Sequence, residues 1–199
     1  KIFQETGISI DIIDGRQEAS FLFKNKPKDL FSEKEACLLI DVGGGSTEMT
    51  LFYQGRRIAS ESFNLGAIRL FKKQADPLIW EAVEHWVKDN TAGYNSIVAI
   101  GSGGNINKLF RLAKGKKGKP VSCKTLTSIY KLLRQLSIDQ RIKQFRLRPD
   151  RADVIVPASE IYLKIMQWSG CRNIHVPMLG LSDGMIRVLH ERRSGIFFY

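Results

Sequence analysis

The sequence has no apolar run of membrane-spanning length, no low-complexity tract and no opening segment of signal-peptide type, so a chain built on a transmembrane helix is excluded and a cytoplasmic protein is expected. Cysteine is scarce. Cys37, Cys123 and Cys171 are odd in number and share no metal-ligand spacing, which argues against a disulfide framework and for reduced thiols. His85, His175 and His190 are as scattered, and zinc is not expected. Acidic residues are in deficit, 20 against 31 Lys and Arg, leaving a formal charge of +11 that calls for an anionic partner.

The positive charge gathers at Lys24, Lys26 and Lys28, at Lys114, Lys116, Lys117 and Lys119, and at Arg141, Lys143, Arg146, Arg148 and Arg151. Each cluster alone is a solvated face; together they favour a polyanion. The basic stretches lack interleaved aromatics, so no specific nucleic-acid surface is expected, and no membrane contact either.

What the sequence has in quantity is glycine at strand ends. Leu38-Leu39-Ile40-Asp41 is an apolar run closed by a carboxylate, and Val42-Gly43-Gly44-Gly45-Ser46-Thr47-Glu48 follows it. Four apolar residues bounded by glycine form a buried strand. Glycine lets backbone amides approach a phosphate and lets the turn visit φ > 0. A bare hairpin turn is the competing account, but it explains neither Asp41 nor Glu48. The same logic recurs at Ser96-Ile97-Val98-Ala99-Ile100, where Gly101-Ser102-Gly103-Gly104-Asn105 leads into a helix N-terminus that favours an anion.

In chain order, Lys1 to Gly7 is the tail of a helix capped by glycine, and a chain that starts this way is expected to be cut from something longer. Residues 8–13 alternate as a strand, and Arg16 begins a helix. Met49 to Tyr53 and Arg56 to Phe63 pair across Gln54-Gly55 as a hairpin. Asp76 caps a helix with Pro77 first, and Leu78, Ile79, Ala82, Val83, Trp86 and Val87 share its face. Thr125 caps Leu126 to Leu136, Ser137 opens the next helix, and Asp150 to Trp168 forms a third that Pro157 should kink or break. Asn173 to Val176 is a last strand and Ser182-Asp183-Gly184 begins the closing helix. Three strands, helix, strand, helices, strand and helix make an α/β fold, a mixed sheet flanked by helices.

The segments Asp41 to Glu48, Asn64-Leu65-Gly66-Ala67-Ile68-Arg69-Leu70 and Gly101 to Ile106 resemble the exopolyphosphatase and guanosine pentaphosphate phosphohydrolase family. Ile13-Asp14-Gly15-Arg16-Gln17-Glu18-Ala19 resembles the segment linking that family's two halves, and Arg151-Ala152-Asp153 and Leu179 to Gly184 resemble its later motifs. The resemblance places the chain in the superfamily of actin, sugar kinases and heat-shock ATPases, which pair two ribonuclease H-like domains around a phosphate cleft. It implies that residues 1–30 are a linker strand and helix from an N-terminal domain missing here, that residues 31–199 are the second ribonuclease H-like domain, and that half the cleft is absent. The family often has Ser-Gly before an acidic pair, whereas Asp14-Gly15-Arg16-Gln17-Glu18 keeps one acid. The closing motif, Ser182-Asp183-Gly184, also departs from the family's basic residue and acid before glycine.

Hydrolysis of a phosphoanhydride needs an anion cradle, a cation and a group that orients or deprotonates water. The expected cradle is Gly43, Gly44, Gly45, Ser46 and Thr47 with Gly101, Ser102, Gly103, Gly104 and Asn105. Arg69 either reaches a phosphate oxygen or stays solvated. Asn105 is expected to cap its helix. Asp41, and Glu48 beside it, are the expected ligands of Mg²⁺, with Mn²⁺ as the alternative. Glu48 can also hold the attacking water, and the resemblance assigns the general base to Glu18. The implied substrate is inorganic polyphosphate or guanosine pentaphosphate, attacked at a terminal phosphorus, with little turnover from this half alone. The competing reading is a non-catalytic phosphate- or nucleotide-binding sensor domain. Phe197, Phe198 and Tyr199 form a terminal tail or pack on a partner, either the missing domain or a second copy in a homodimer.

Overall fold

The computed structural model describes residues 2–10, 12–13, 17, 21, 35–178 and 181–194. Its centre is the strand β1 (Ala36–Val42), apolar except at Asp41 and therefore able to bury both faces. Ala36, Leu38, Ile40 and Val42 point into the main core, while Cys37 and Leu39 meet Phe52 and Ile100 on the opposite face. Asp41 stands two residues beyond Leu39 and so closes that second face, away from the main core.

β2 (Thr47–Tyr53) pairs antiparallel with β1, and β3 (Arg56–Phe63) antiparallel with β2. Gln54 (φ 50°) and Gly55 (φ 74°) supply the two left-handed residues that a tight hairpin matching strand twist requires. On the other side β4 (Ile97–Ser102) runs parallel to β1, followed by β6 (Asn173–His175), parallel to β4, and the two-residue β5 (Val121–Ser122) at the edge. The strand order is β3-β2-β1-β4-β6-β5, a six-stranded mixed sheet. This is the α/β architecture expected from the element order; β5, too short to leave a period, had no sequence signal.

Besides Gln17 and Phe21, which are helical where a helix from Arg16 is expected, the helices among the described residues are α1 (Ile2–Thr6), α2 (Ala67–Phe71), α3 (Ile79–Thr91), α4 (Gly104–Leu112), α5 (Cys123–Gln135), α6 (Ile138–Phe145), α7 (Pro149–Ala152), α8 (Ile155–Trp168) and α9 (Leu181–Ser194). The most buried is α8: Ile155, Ala158, Ile161, Tyr162, Ile165 and Met166 have no exposed surface. Their spacing of three and four residues covers a broad face, and each aliphatic member contributes roughly 1.5–3 kcal/mol by leaving water. No helix among the described residues is long and apolar enough to cross a membrane.

Several boundaries differ from the sequence expectation for local reasons. The Asp150 to Trp168 pattern breaks at Asp153 and Val154, not at Pro157. Pro157 is the third residue of α8, where its missing N–H would have had no partner in the helix. Ser122, not Thr125, caps α5, its hydroxyl accepting from the Thr125 amide at 3.1 Å. Asp76 forms a turn ahead of α3 by accepting from the Leu78 amide at 2.9 Å. Ser137 opens α6 as expected, with Gln140 completing a reciprocal capping box.

Gly7 ends α1 with φ 70°, as its glycine cap suggested. The strand expected over residues 8–13 is not found at the described residues 8–10 and 12–13. They lie outside the sheet, and Ile8, Ile10 and Ile12 are exposed, because no described strand pairs with them. The remainder of the expected linker, to residue 30, lies almost wholly outside the described residues, and Phe197, Phe198 and Tyr199 lie outside them too.

Candidate active site

β1 and β4 are parallel neighbours, so their C-terminal ends open at the same edge of the sheet, with Asp41 and Ser102 in register. From there the chain leaves β1 toward β2 on one side and β4 toward α4 on the other. Two glycine loops that lie some 60 residues apart in sequence therefore emerge side by side, the arrangement that makes a ligand crevice in open α/β sheets. The Ser102 hydroxyl donates to Asp41 Oδ2. A Cβ on Gly103 would stand 3.0 Å from Asp41 Oδ1, and Gly103 has φ 97°. Both its backbone conformation and the carboxylate beside it thus require glycine at 103.

The first loop is closed by the Gly43 amide donating to Ser46 O at 2.9 Å. Its carbonyls are taken by the start of α2. Gly43 O accepts from the Ala67 amide at 2.9 Å, Gly44 O from Ile68 and Arg69 at 2.9 and 3.2 Å, and Gly45 O from Arg69 Nε at 3.1 Å. No described residue accepts from the amides of Gly44, Gly45 and Ser46. With the carbonyls fixed and these donors left over, the loop presents its positive side, as an anion cradle must.

The expectation that this loop visits φ > 0 is not met: none of Gly43, Gly44 and Gly45 has positive φ. Crowding accounts for Gly44 and for Gly66 behind it, whereas a Cβ on Gly45 would meet nothing within 4 Å. A Cβ on Gly44 would come within 2.8 Å of Ile68 Cδ1, and one on Gly66 within 2.3 Å of Gly44 O. The Asn64-Leu65-Gly66 segment is thus the backing plate of the loop.

Glu48 is directly opposite Asp41 across β1 and β2. Glu48 Oε1 accepts from Ser46 Oγ at 2.6 Å and from Ser62 Oγ at 3.2 Å. Ser62, Glu48, Asp41 and Ser102 thereby form one polar row over four strands. Burial pushes the Asp41 carboxyl above its usual range; the Ser102 hydrogen bond partly offsets this, and the neighbouring Glu48 charge adds to it. No Lys or Arg among the described residues forms a salt bridge with either acid.

Two adjoining carboxylates that no Lys or Arg among the described residues salt-bridges suit a hard divalent cation that keeps most of its waters, as Mg²⁺ does. Among the described residues no group of three or more His, Cys, Asp and Glu offers the fuller cage that zinc would take.

The second loop gains Arg151, which the sequence places both in a basic cluster and in the family-like Arg151-Ala152-Asp153 segment. The Arg151 guanidinium lies over Gly104, where a Cβ would meet its terminal nitrogen at 2.8 Å, and its Nη1 donates to Asn105 Oδ1 at 3.3 Å. Asp150 Oδ2 is 3.9 Å from its Nε. A cation at the positive end of α4 is unfavourable by itself, and an anion arriving there would be held by the guanidinium and the helix amides together. Composition could not separate Arg151 from its neighbours; the signal that set it apart was the resemblance of Arg151-Ala152-Asp153 to a later motif of the family.

The remaining expected site residues divide. Thr47 is fully buried on the core face and its hydroxyl donates to Leu65 O, so it braces the loop's backing plate. Ser102 spends its hydroxyl on Asp41 and Ser46 spends its own on Glu48. Asn105 is buried inside α4 and is not the cap, because the helix begins one residue earlier, after Gly103. Gly101 lies within β4, where a Cβ would strike Ile106 Cγ1 at 2.7 Å, a packing requirement. Arg69 is half-buried and its Nε is committed to Gly45 O. Glu18 lies outside the described residues.

Comparison with known proteins bears on the fold and the family. A family model described as the Ppx/GppA phosphatase family matches residues 1–192. The crystal structure of an Aquifex aeolicus Ppx/GppA phosphatase superposes with a TM-score of 0.76 at 22% identity, over 93% of this chain and 67% of that one. A Cytophaga hutchinsonii exopolyphosphatase gives 0.75 at 20% identity, over 98% and 69%. A bifunctional 3-dehydroquinate synthase/phosphatase of Fusobacterium nucleatum is 38% identical over 74 residues, which is 37% of this chain and only 11% of that protein. With the family match covering almost the whole chain and the solved structures sharing its fold, the chain belongs to the Ppx/GppA phosphatase family.

Proposed function

We propose that the protein is a phosphoanhydride hydrolase that releases terminal orthophosphate from inorganic polyphosphate, guanosine pentaphosphate or both, and that this chain supplies one wall of its cleft. The observation that carries the reading is the meeting of two glycine loops at one half-buried carboxylate, Asp41. The solved relatives bearing the names exopolyphosphatase and Ppx/GppA phosphatase support it.

In this reading the free amides of Gly44 to Ser46 and the α4 N-terminus hold phosphate oxygens from two sides, and Arg151 adds a charged fork. Asp41 and Glu48 would hold Mg²⁺, which supplies neutralisation of the charge that builds on the transferred phosphoryl group. Glu48, oriented by the Ser46 and Ser62 hydroxyls, positions water, and Glu18 takes its proton. Burial makes these electrostatic contacts stronger than they would be in water. The three cysteines, two of them buried, form no disulfide, which suits a cytoplasmic enzyme. The isolated chain is proposed to bind phosphate chains but turn them over slowly.

The experiment is release of orthophosphate by the protein from polyphosphates of several lengths and from guanosine pentaphosphate, each beside an Asp41→Asn control. Release that disappears in the control is expected. Absence of release from every substrate, or release unchanged by the substitution, would overturn the proposal.

A further inference from the structure

Tyr162 projects from α8 with no exposed surface, and its hydroxyl stands at the point where β1 and β4 part. It donates to Ser102 O at 2.7 Å and accepts from the Val42 amide at 3.2 Å. Ser102 and Val42 are the residues immediately before Gly103 and Gly43, so one phenol joins the roots of both glycine loops. Its partners lie 60 and 120 residues away in sequence, which makes this a tertiary tie and not a local turn.

The side chain is suited to that place. A parallel ladder stops where its strands diverge into different loops, leaving a carbonyl on one and an amide on the other without their usual partners. A hydroxyl can donate to the first and accept from the second at once, and the aromatic ring fills the buried volume beneath. Burial and the nearby Asp41 hold the phenol well above its ordinary range of ionisation, so it keeps its donating proton.

We infer that Tyr162 is a positioning residue that sets the separation of the two loops, and with it the width of the phosphate seat, while touching no substrate itself. The inference rests on the phosphate-binding reading of the loops and goes beyond it, because it assigns control of the seat to a core residue of α8. A loop displaced by about 1 Å from a reacting group can cost roughly 10²-fold in rate.

The test is Y162F, which removes only the hydroxyl, set beside I161V, which trims the same helix without touching the loops. Amide hydrogen exchange is followed at Val42, Gly43 to Ser46 and Gly103 to Asn105, and steady-state kinetics are taken with polyphosphate. Y162F is expected to stay folded, to exchange faster at both loops together, and to lose about 10- to 100-fold in kcat/KM, mostly in kcat. I161V is expected to lose stability with kcat/KM kept. Unchanged exchange at the loops, a rate loss shared by I161V, or failure of Y162F to fold would overturn the inference. If the wild-type protein acts on no phosphate chain, the functional reading fails, and the exchange arm still decides whether the phenol ties the loops.

Discussion

Asp41 and Glu48 face each other across the β1–β2 pair with no Lys or Arg among the described residues bridging them, so the sheet holds two like charges at one register position. Like charges directly opposite on a sheet are destabilising. That cost is borne at the edge where both glycine loops begin, which is where a bound cation would offset it.

The first prediction concerns stability against pH. The Asp41 carboxyl is raised above its unfolded value of 3.8, so the folded state holds its proton more tightly than the unfolded state does. Stability therefore falls as pH rises from 3.8 through the folded value and levels off beyond it. Asp41→Asn removes this penalty and should raise the neutral-pH midpoint by ~2–4 °C for each 1 kcal/mol recovered. The gain should vanish in acid, and phosphate release should fall at least about 100-fold. Thermal unfolding across pH checks it; a lower midpoint at neutral pH would contradict it.

Magnesium should stabilise the protein through the same pair. At a concentration 100 times its dissociation constant, a ligand bound only by the folded state adds about 2.7 kcal/mol. Thermal shift with and without Mg²⁺ should show this in the wild type and lose it in the Asp41→Asn, Glu48→Gln double variant. An equal shift in both would place the cation elsewhere.

Arg151→Ala should weaken binding of a phosphate chain by about 10- to 100-fold, the worth of one or two charge-assisted hydrogen bonds. Arg151→Lys should recover only part, because an ammonium keeps the charge but loses the fork. Titration calorimetry measures both. Full affinity in the Ala variant would remove Arg151 from the site.

Gly66→Ala forces a methyl to within 2.3 Å of Gly44 O, a backbone atom that can yield only by moving the loop. A loss of about 1–3 kcal/mol in urea unfolding is expected, together with weaker phosphate binding. Wild-type stability and binding would show that α2 does not back the loop.

Much of this was legible in the sequence because period and punctuation carried it. The run from Leu38 to Asp41 followed by three glycines marked the central strand and its loop, and Gln54-Gly55 marked the hairpin. Other features depend on contacts that sequence spacing does not encode. Thr47 and Ser46 are adjacent hydroxyls, yet strand alternation turns one into the core and leaves the other beside Glu48. Gly66 and Gly44 are matched by a close approach of two backbones, and Arg151 reaches Gly104 from a helix 47 residues farther along the chain. Tyr162 looked like any core position on α8, because nothing local shows that its hydroxyl ends between two strands.

The central claim is that both glycine loops form one phosphate seat around Asp41. Its most direct test is a backbone amide NMR titration with inorganic tripolyphosphate in the presence of Mg²⁺. The account predicts that Gly44, Gly45 and Ser46 shift together with Gly103, Gly104 and Asn105, along one binding curve, and that Asp41→Asn weakens both responses equally. Shifts confined to one loop, or two curves with separate midpoints, would contradict it.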